Sequence, residues 1–448
     1  MKHKILLLLP IMAFLATLPI RLYATNECLS PNETVWFRYP AKSWSEQALH
    51  IGNGYMGASF YGEVEKERLD IAEKTFWAGG PHAAPDFNYG IIKGGKDKIA
   101  TIRQLIVERR FAEADSLSRI YMTGDYTNYG YFSMVGNLWI DFGKNKQPVQ
   151  NYLRGIDLST SRGFVEYTQG GVQFNREYFC SYPDKLMALH FTADKAGKIS
   201  FSLSHSLVYP PEEVIESENG LTFNGIIRKN GLSYTIRIKI VQQGGSVKVA
   251  HQRIVVEKAN EATVFYAVDT EYAPVYPLYK GENPQQNTGK VITKAITKGY
   301  ETVKNTHISD YQTLYNRVRF TLTGDTASEQ LPTNMRVKQL QKGFTDDASL
   351  KVLGFNLSRY LLISASRPGT LPSTLQGVWN TFEKAPWNGN FQSNINLQEM
   401  YWGCGPTHLP ECEEAYLEWI EGLVEPGRQT AREYYGTKGW VSHSTGNI

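Results

Sequence analysis

Between Ser366 and Trp402 the chain sets Trp379, Phe382, Trp387, Phe391, Tyr401 and Trp402 among Asn380, Asn388, Asn390, Asn394 and Asn396. Flat apolar rings beside neutral amides suit a pyranose, whose C–H face stacks on a ring and whose hydroxyls each donate and accept a hydrogen bond. The same composition equally describes a long loop pinned down by its aromatics and turned by its asparagines. Asn394 and Asn396 add a geometric point. In an extended strand, residues two apart project to the same side, so this spacing predicts two amides able to hold one water or one hydroxyl together.

Other chemistry-bearing patterns weaken on inspection. Gly52, Asn53, Gly54, Tyr55, Met56, Gly57 spells the dinucleotide fingerprint. That fingerprint needs a helix opening at its end to meet a pyrophosphate, and Ala58 to Gly62 reads as a strand, so these glycines are expected to serve a tight turn and close packing. Cys404, His408 and Cys412 stand at helical spacing for a metal site, but Gly405 and Pro406 break the helix that this spacing requires, and no metal is expected. Cys404 and Cys412 are close enough to be bridged, while Cys28 and Cys180 are expected as separate buried thiols or a long-range pair. The 47 basic and 44 acidic residues are mixed along the chain with no basic run, which sets nucleic acid aside as a partner. Nothing in the sequence calls for a cofactor.

The elements that must position the aromatic and amide segment follow from periodicity. Lys2, His3 and Lys4 precede an apolar stretch from Ile5 to Ile20, and Leu22, Tyr23 and Ala24 offer a small-residue cleavage site. This reads as a secretory signal peptide over 1–24. The stretch is too short, and too interrupted by Pro10 and Pro19, for a spanning helix. A periplasmic or secreted protein, free of the membrane after cleavage, is the expectation.

From Val35 to Val268 short alternating runs are separated by turn signals such as Gln169-Gly170-Gly171, Asn230-Gly231 and Gln242 to Ser246, which argues for a large antiparallel β-sandwich. Lys96 to Tyr121 interrupts it with a helical insertion. Near Asn287 the period changes. Ile292, Ala295, Ile296 and Val303, then Ile308, Tyr311 and Leu314, recur every three or four residues as a helical linker. A strong helix is expected over about 348–365, another from about Glu411 to Leu423 that stops at Pro426 and Gly427, and a further one from Pro426 to Gly436. Helix, short turn, helix is how an all-helical barrel is built.

Several longer motifs make the reading specific. They are Ser366 to Pro372, Leu375 to Asn380, Asn394 to Gln398 with Tyr401 and Trp402, and, earlier, Pro40, Ala41, Trp44, Ile51 to Gly57 and Thr75 to Pro81. His307, Asp310 and Tyr311 in the linker, Glu425 to Arg428, and Gly439 to Val441 join them. Together they resemble glycoside hydrolase family 95, whose members are chiefly α-L-fucosidases, over nearly everything after the signal peptide. The resemblance implies β then α architecture: a sandwich of supersandwich type over 32–285, a helical linker over 286–345 and the first part of an (α/α)6 catalytic barrel over 346–448.

It also implies an inverting exo-hydrolase acting on terminal α-linked L-fucose of an oligosaccharide or polysaccharide. A Glu acts as general acid, and Asn394 and Asn396 orient the water while an Asp assists. Trp387, Gln398 and His443 are the expected substrate contacts. The family's acid and Asp fall beyond Ile448, so the chain alone is expected to be inactive. Glu399, Glu411 and Glu418 are not promoted in their place.

The sequence departs from the family around Glu399 to Gly405 and at Ser444 to Asn447, which leaves the sugar open between L-fucose and L-galactose. A non-catalytic glycan-binding or defective fragment is the rival reading from a different class. An inverting sugar phosphorylase of the same plan would need phosphate-binding basic residues beside the water site, and none is evident.

Overall fold

The computed structural model describes residues 29–84 and 87–448, so the expected signal peptide and Cys28 lie outside the described residues. Two antiparallel sheets dominate the amino-terminal half. One runs in the order Thr34–Phe37, Val149–Asp157, Arg162–Gln169, Val172–Ser181, Leu186–Ala193, Glu261–Thr270, Leu232–Gln243, Gly220–Ile227, Glu213–Ser217. The other runs Ser246–Ala250, Arg253–Ala259, Ile199–Leu207, Tyr131–Asp141, Lys66–Ala78, Met56–Phe60, Leu49–Gly52. Their inner faces meet in one core, where Phe60 packs edge-on against Tyr178 at 5.1 Å and Phe142 against Phe191 at 5.5 Å. Burial alternates strictly along Arg162–Gln169, as a strand with one face on a core requires.

The turn signals act in different ways. Gln169 pairs with Val172, which leaves Gly170 and Gly171, at φ 60 and 70, as a two-residue hairpin turn of the left-handed type that matches strand twist. Asn230-Gly231 instead lies in a four-residue loop, because Ile227 pairs with Leu232. There the Asn230 amide donates to the carbonyls of Trp77 at 2.7 Å and Gly79 at 3.1 Å, which ties the hairpin to the other sheet. In the Gly52 to Gly57 segment a hairpin takes the place of a strand-to-helix turn, as expected. Asn53 Oδ1 accepts from the backbone of Tyr55 and Met56, and a Cβ on Gly57 would lie 2.7 Å from Val378 Cγ1.

Helices α1 (Gly95–Val107) and α2 (Phe111–Tyr121) form the expected insertion between two strands of the second sheet. Helices α3 (Pro284–Lys298) and α4 (Tyr300–Tyr315) follow the sheets. Asn283 caps α3 by accepting from the backbone of Gln285 and Gln286, with Pro284 in the first turn. Tyr311 of α4 donates to the carbonyl of Leu158 at 2.8 Å, and the His307 ring lies 3.1 Å from the carbonyls of Thr160 and Ser161. Burial lowers the His307 pKa to about 4, so this imidazole docks as a neutral donor.

Helix α5 (Thr333–Gln341) lies within the expected helical linker, at a stretch whose own periodicity marks no separate helix. Its Arg336 is fully buried and pairs bidentately with Asp347 at 2.8 Å, and Asp347 also caps α6 by accepting from Leu350 N.

Helix α6 (Ala348–Ala365) begins and ends where its pattern predicts. Helices α7 (Asn396–Tyr401), α8 (Pro410–Gly422) and α9 (Val424–Thr430) complete the chain with a π-type turn that ends at Gly436, φ 63. The helix expected from about Glu411 to Leu423 and the next one, expected with Pro426 near its start and Gly436 just past its end, both form. Helix α8 ends at Gly422, and α9 runs through Pro426, which sits in its first turn where a missing N–H breaks no bond. The expected Cys404–Cys412 bridge is corrected. Cys180, Cys404 and Cys412 are free and buried, the latter two packed as small apolar groups in the core that joins sheets and helices. Burial raises both of their thiol pKa values to about 12.

Candidate functional site

The amide segment is held by pairing between residues far apart in the chain. Phe391 and Gln392 form a short antiparallel ladder with Gly446 and Thr445. Beyond it Ser393 donates from its backbone to Ser444 O and from its hydroxyl to His443 O, both at 2.9 Å. Phe391 is fixed by a stack on Trp77 with centroids 5.9 Å apart and by Trp419 at 5.0 Å.

From this anchor the chain turns through Asn394 and enters α7 at Asn396, and both asparagines are exposed. The extended-strand geometry expected for them is therefore corrected: one lies in a turn and the other is the first helical residue, so strand alternation does not set their relative direction. Gln398 closes the turn by donating to Ser393 O at 2.7 Å. Trp387 stands ahead of the ladder in the single turn Pro386–Gly389, in left-handed backbone at φ 55, and the residue is 78% exposed.

His443 lines a cleft of about 180 Å³ between the sheets' loops and helices α8 and α9. Its Nε2 meets the Tyr435 hydroxyl at 2.9 Å, its ring stands edge-on to Tyr434 at 5.5 Å, and burial lowers its pKa, so the ring is a neutral hydrogen-bonding group. Of the five candidate residues His443 lines the cleft and the other four do not. Ser393 nevertheless links the turn that carries Asn394 to the His443–Ser444 segment that leads into the strand Thr445–Gly446.

Sequence reasoning missed most of the cleft. Phe87, Tyr89, Tyr272 and Tyr279 come to it from the sheet domain, and Trp419 and Glu418 from α8. The only sequence signal for them is the general tyrosine richness, 27 in all, which does not say where they converge. Tyr129 also lines the cleft and donates to Gly446 O at 2.9 Å, and burial raises its pKa to about 12. Asp125 is exposed at the cleft, with its carboxyl held below the usual range by the Thr127 hydroxyl and backbone N–H.

The remaining acids divide cleanly. Glu411 is committed to a bidentate pair with Arg317, both contacts at 2.7 Å, whereas Glu399 is exposed in the first turn of α7. Among the described residues no group of three or more His, Cys, Asp and Glu side chains is placed to hold a metal ion, and no helix is long and apolar enough to cross a membrane. Rings, neutral amides, a neutral imidazole and two open carboxylates can bind a polyhydroxylated, uncharged ligand.

Residues 35–274 match the family described as glycosyl hydrolase family 65, N-terminal domain, and residues 299–448 match the glycosyl hydrolase family 95 catalytic domain. The chain belongs to glycoside hydrolase family 95, with a family 65-type amino-terminal domain leading into the family 95 catalytic region.

Among curated relatives, alpha-L-fucosidase 2 of Arabidopsis thaliana is 32% identical over 92% of this chain and 51% of its own length. A protein assigned as alpha-fucosidase A from Aspergillus niger is 30% identical over 93% of this chain and 54% of its own. The chain thus spans about half the length of these relatives. A solved structure assigned as a kojibiose phosphorylase from the human microbiome superposes with a TM-score of 0.59 at 11% identity, over 93% of this chain and 52% of that one. That likeness is one of fold.

Proposed function

We infer that the chain forms the sandwich, linker and leading barrel helices of an exported, inverting exo-α-L-fucosidase. The division is a supersandwich-type domain over 32–285, a helical linker over 286–345 and part of an (α/α)6 barrel from 346, preceded by a leader over 1–24 that directs the protein to the periplasm or beyond. Asn394 and Asn396 orient the hydrolytic water. Trp387, Gln398 and His443 contact the terminal sugar. The acid that protonates the leaving oxygen, and the Asp that draws the proton from the water, come from the region that the longer relatives carry.

The observation that carries this reading is the pair of hydrogen bonds from Ser393 to residues 443 and 444, which bring the amide turn and the cleft's His443 segment into one unit. Neutral amides suit a water that must attack from the face opposite the leaving group, because they hold it without taking its proton.

Incubating the purified 448-residue chain with 2'-fucosyllactose is expected to release no fucose. In a version extended by the second half of a family 95 sequence, the first product seen by proton NMR should be the β anomer. Asn394→Ala or Asn396→Ala should lower kcat by roughly a hundredfold or more with little change in KM, the scale of losing a group that acts on the transition state. Release of the α anomer, or alanine variants with unchanged kcat, would refute the reading.

A further inference from the structure

Two excursions of the sheet domain meet at the cleft. One follows strand Lys66–Ala78 and carries Tyr89, and the other follows strand Glu261–Thr270 and carries Tyr272 and Tyr279. The second is a closed loop. Tyr272 bridges to Lys280, Gly281 N donates to Glu271 O at 2.6 Å and Tyr279 N to Val275 O at 2.8 Å. The two loops are fastened to each other, since the His82 ring contacts the carbonyl of Leu278 and Tyr89 packs edge-on to Tyr279 with centroids 6.4 Å apart. Tyr272 and Tyr279 lie nearly parallel, 17° between planes.

His82, Tyr89 and Tyr279 all hold left-handed backbone, at φ 69, 59 and 47, a conformation unfavourable for side chains of this size and kept only where surroundings impose it. The result is an aromatic wall presented by the amino-terminal domain to a cleft whose other wall is built by α8, α9 and the segment from Val441 to Ile448.

We propose that this tyrosine wall is the leaving-group subsite: it stacks on the C–H face of the sugar next to the terminal one, so the sheet domain selects which glycan the barrel cleaves. The assignment rests on the proposed function, which puts the terminal sugar against the amide turn and His443. In an exo-acting site the rest of the glycan must then lie along the remaining wall, and that wall is tyrosine. Rings lose few rotors on binding and accept pyranose faces through contact area without demanding charge, which matches a neutral oligosaccharide.

Saturation-transfer NMR titrations of the purified chain with 2'-fucosyllactose, lactose and L-fucose test this. Tyr89→Ala is expected to weaken the trisaccharide and lactose about tenfold while leaving L-fucose unchanged, and Tyr89→Phe, which keeps the ring, should bind all three like the parent. Tyr279→Phe serves as a second ring-preserving control, because Tyr279 is buried and its alanine variant risks the loop itself. If Tyr89→Ala binds the trisaccharide as tightly as the parent, or loses L-fucose equally, the subsite assignment falls while the fucosidase reading stands. If the parent binds none of the three sugars, the subsite assignment falls, and fucose release by the extended version decides the fucosidase reading separately.

Discussion

Glu73 and Lys74 are consecutive in the interior strand Lys66–Ala78, and both are buried. The Lys74 ammonium reaches the carbonyl oxygens of Ala365, the last residue of α6, and of Leu371, which clamps the strand to the helical region. The Glu73 carboxyl accepts from the Thr75 hydroxyl at 2.6 Å and from its backbone N–H at 3.0 Å. Burial outweighs those bonds and raises the Glu73 pKa from 4.5 to about 8, while burial lowers that of Lys74 to about 7.

An acid whose folded pKa is raised keeps a proton that the unfolded chain releases above its ordinary value. Stability from that group is therefore complete below pH 4.5 and is lost as pH climbs toward 8. Between pH 5 and pH 7 the loss comes to about 2.5 kcal/mol, at about 1.36 kcal/mol for each unit over which the two states differ. Lys74 contributes in the opposite sense, but above pH 7, outside that window.

His50, His190, His205 and His307, all lowered to about 4 by burial, also add stability as pH rises through the window, and they cancel in a comparison between variants. Glu73→Gln keeps the acceptor for Thr75 and removes the titration. Urea unfolding at pH 5, 6 and 7 should show the variant gaining about 2.5 kcal/mol on the parent across that range. A difference between the two proteins that does not change with pH would refute the argument.

Two further outcomes test the packing. Gly57→Ala should cost about 1–3 kcal/mol, because its Cβ would meet Val378 Cγ1 at 2.7 Å and Trp379 Nε1 at 2.8 Å, whereas Gly354→Ala, in an exposed part of α6 with nothing nearby, should gain about 0.5–1 kcal/mol; urea midpoints measure both. Cys180, Cys404 and Cys412 should resist a thiol reagent in the native protein and all react after denaturation without reductant, and peptide mapping that finds Cys404 and Cys412 still joined would overturn their assignment as free thiols.

Much of the scaffold could be read locally. Alternation marks the strand Arg162–Gln169, the Gly170-Gly171 pair marks its turn, and α6 is bounded by its own leucine pattern and by Pro368 beyond it, because each depends on residues within a few positions of one another. Even the false dinucleotide fingerprint was decided by its neighbours: a strand follows it, so no helix end is offered to a phosphate. Helix α5 escaped because it is held by a buried Arg336–Asp347 pair and by no clear apolar stripe of its own.

The candidate site is the opposite case. The sequence named Asn394, Asn396, Trp387, Gln398 and His443, but their shape depends on Phe391 and Gln392 pairing with residues more than fifty positions away. That pairing turns the expected strand into a turn and a helix start. The aromatic cleft goes further, bringing Tyr89, Tyr279 and Trp419 together from segments some 190 and 140 residues apart. Sequence periodicity reports only which side of an element is apolar. Which distant sides meet is decided by burying them together, and that is a property of the whole fold.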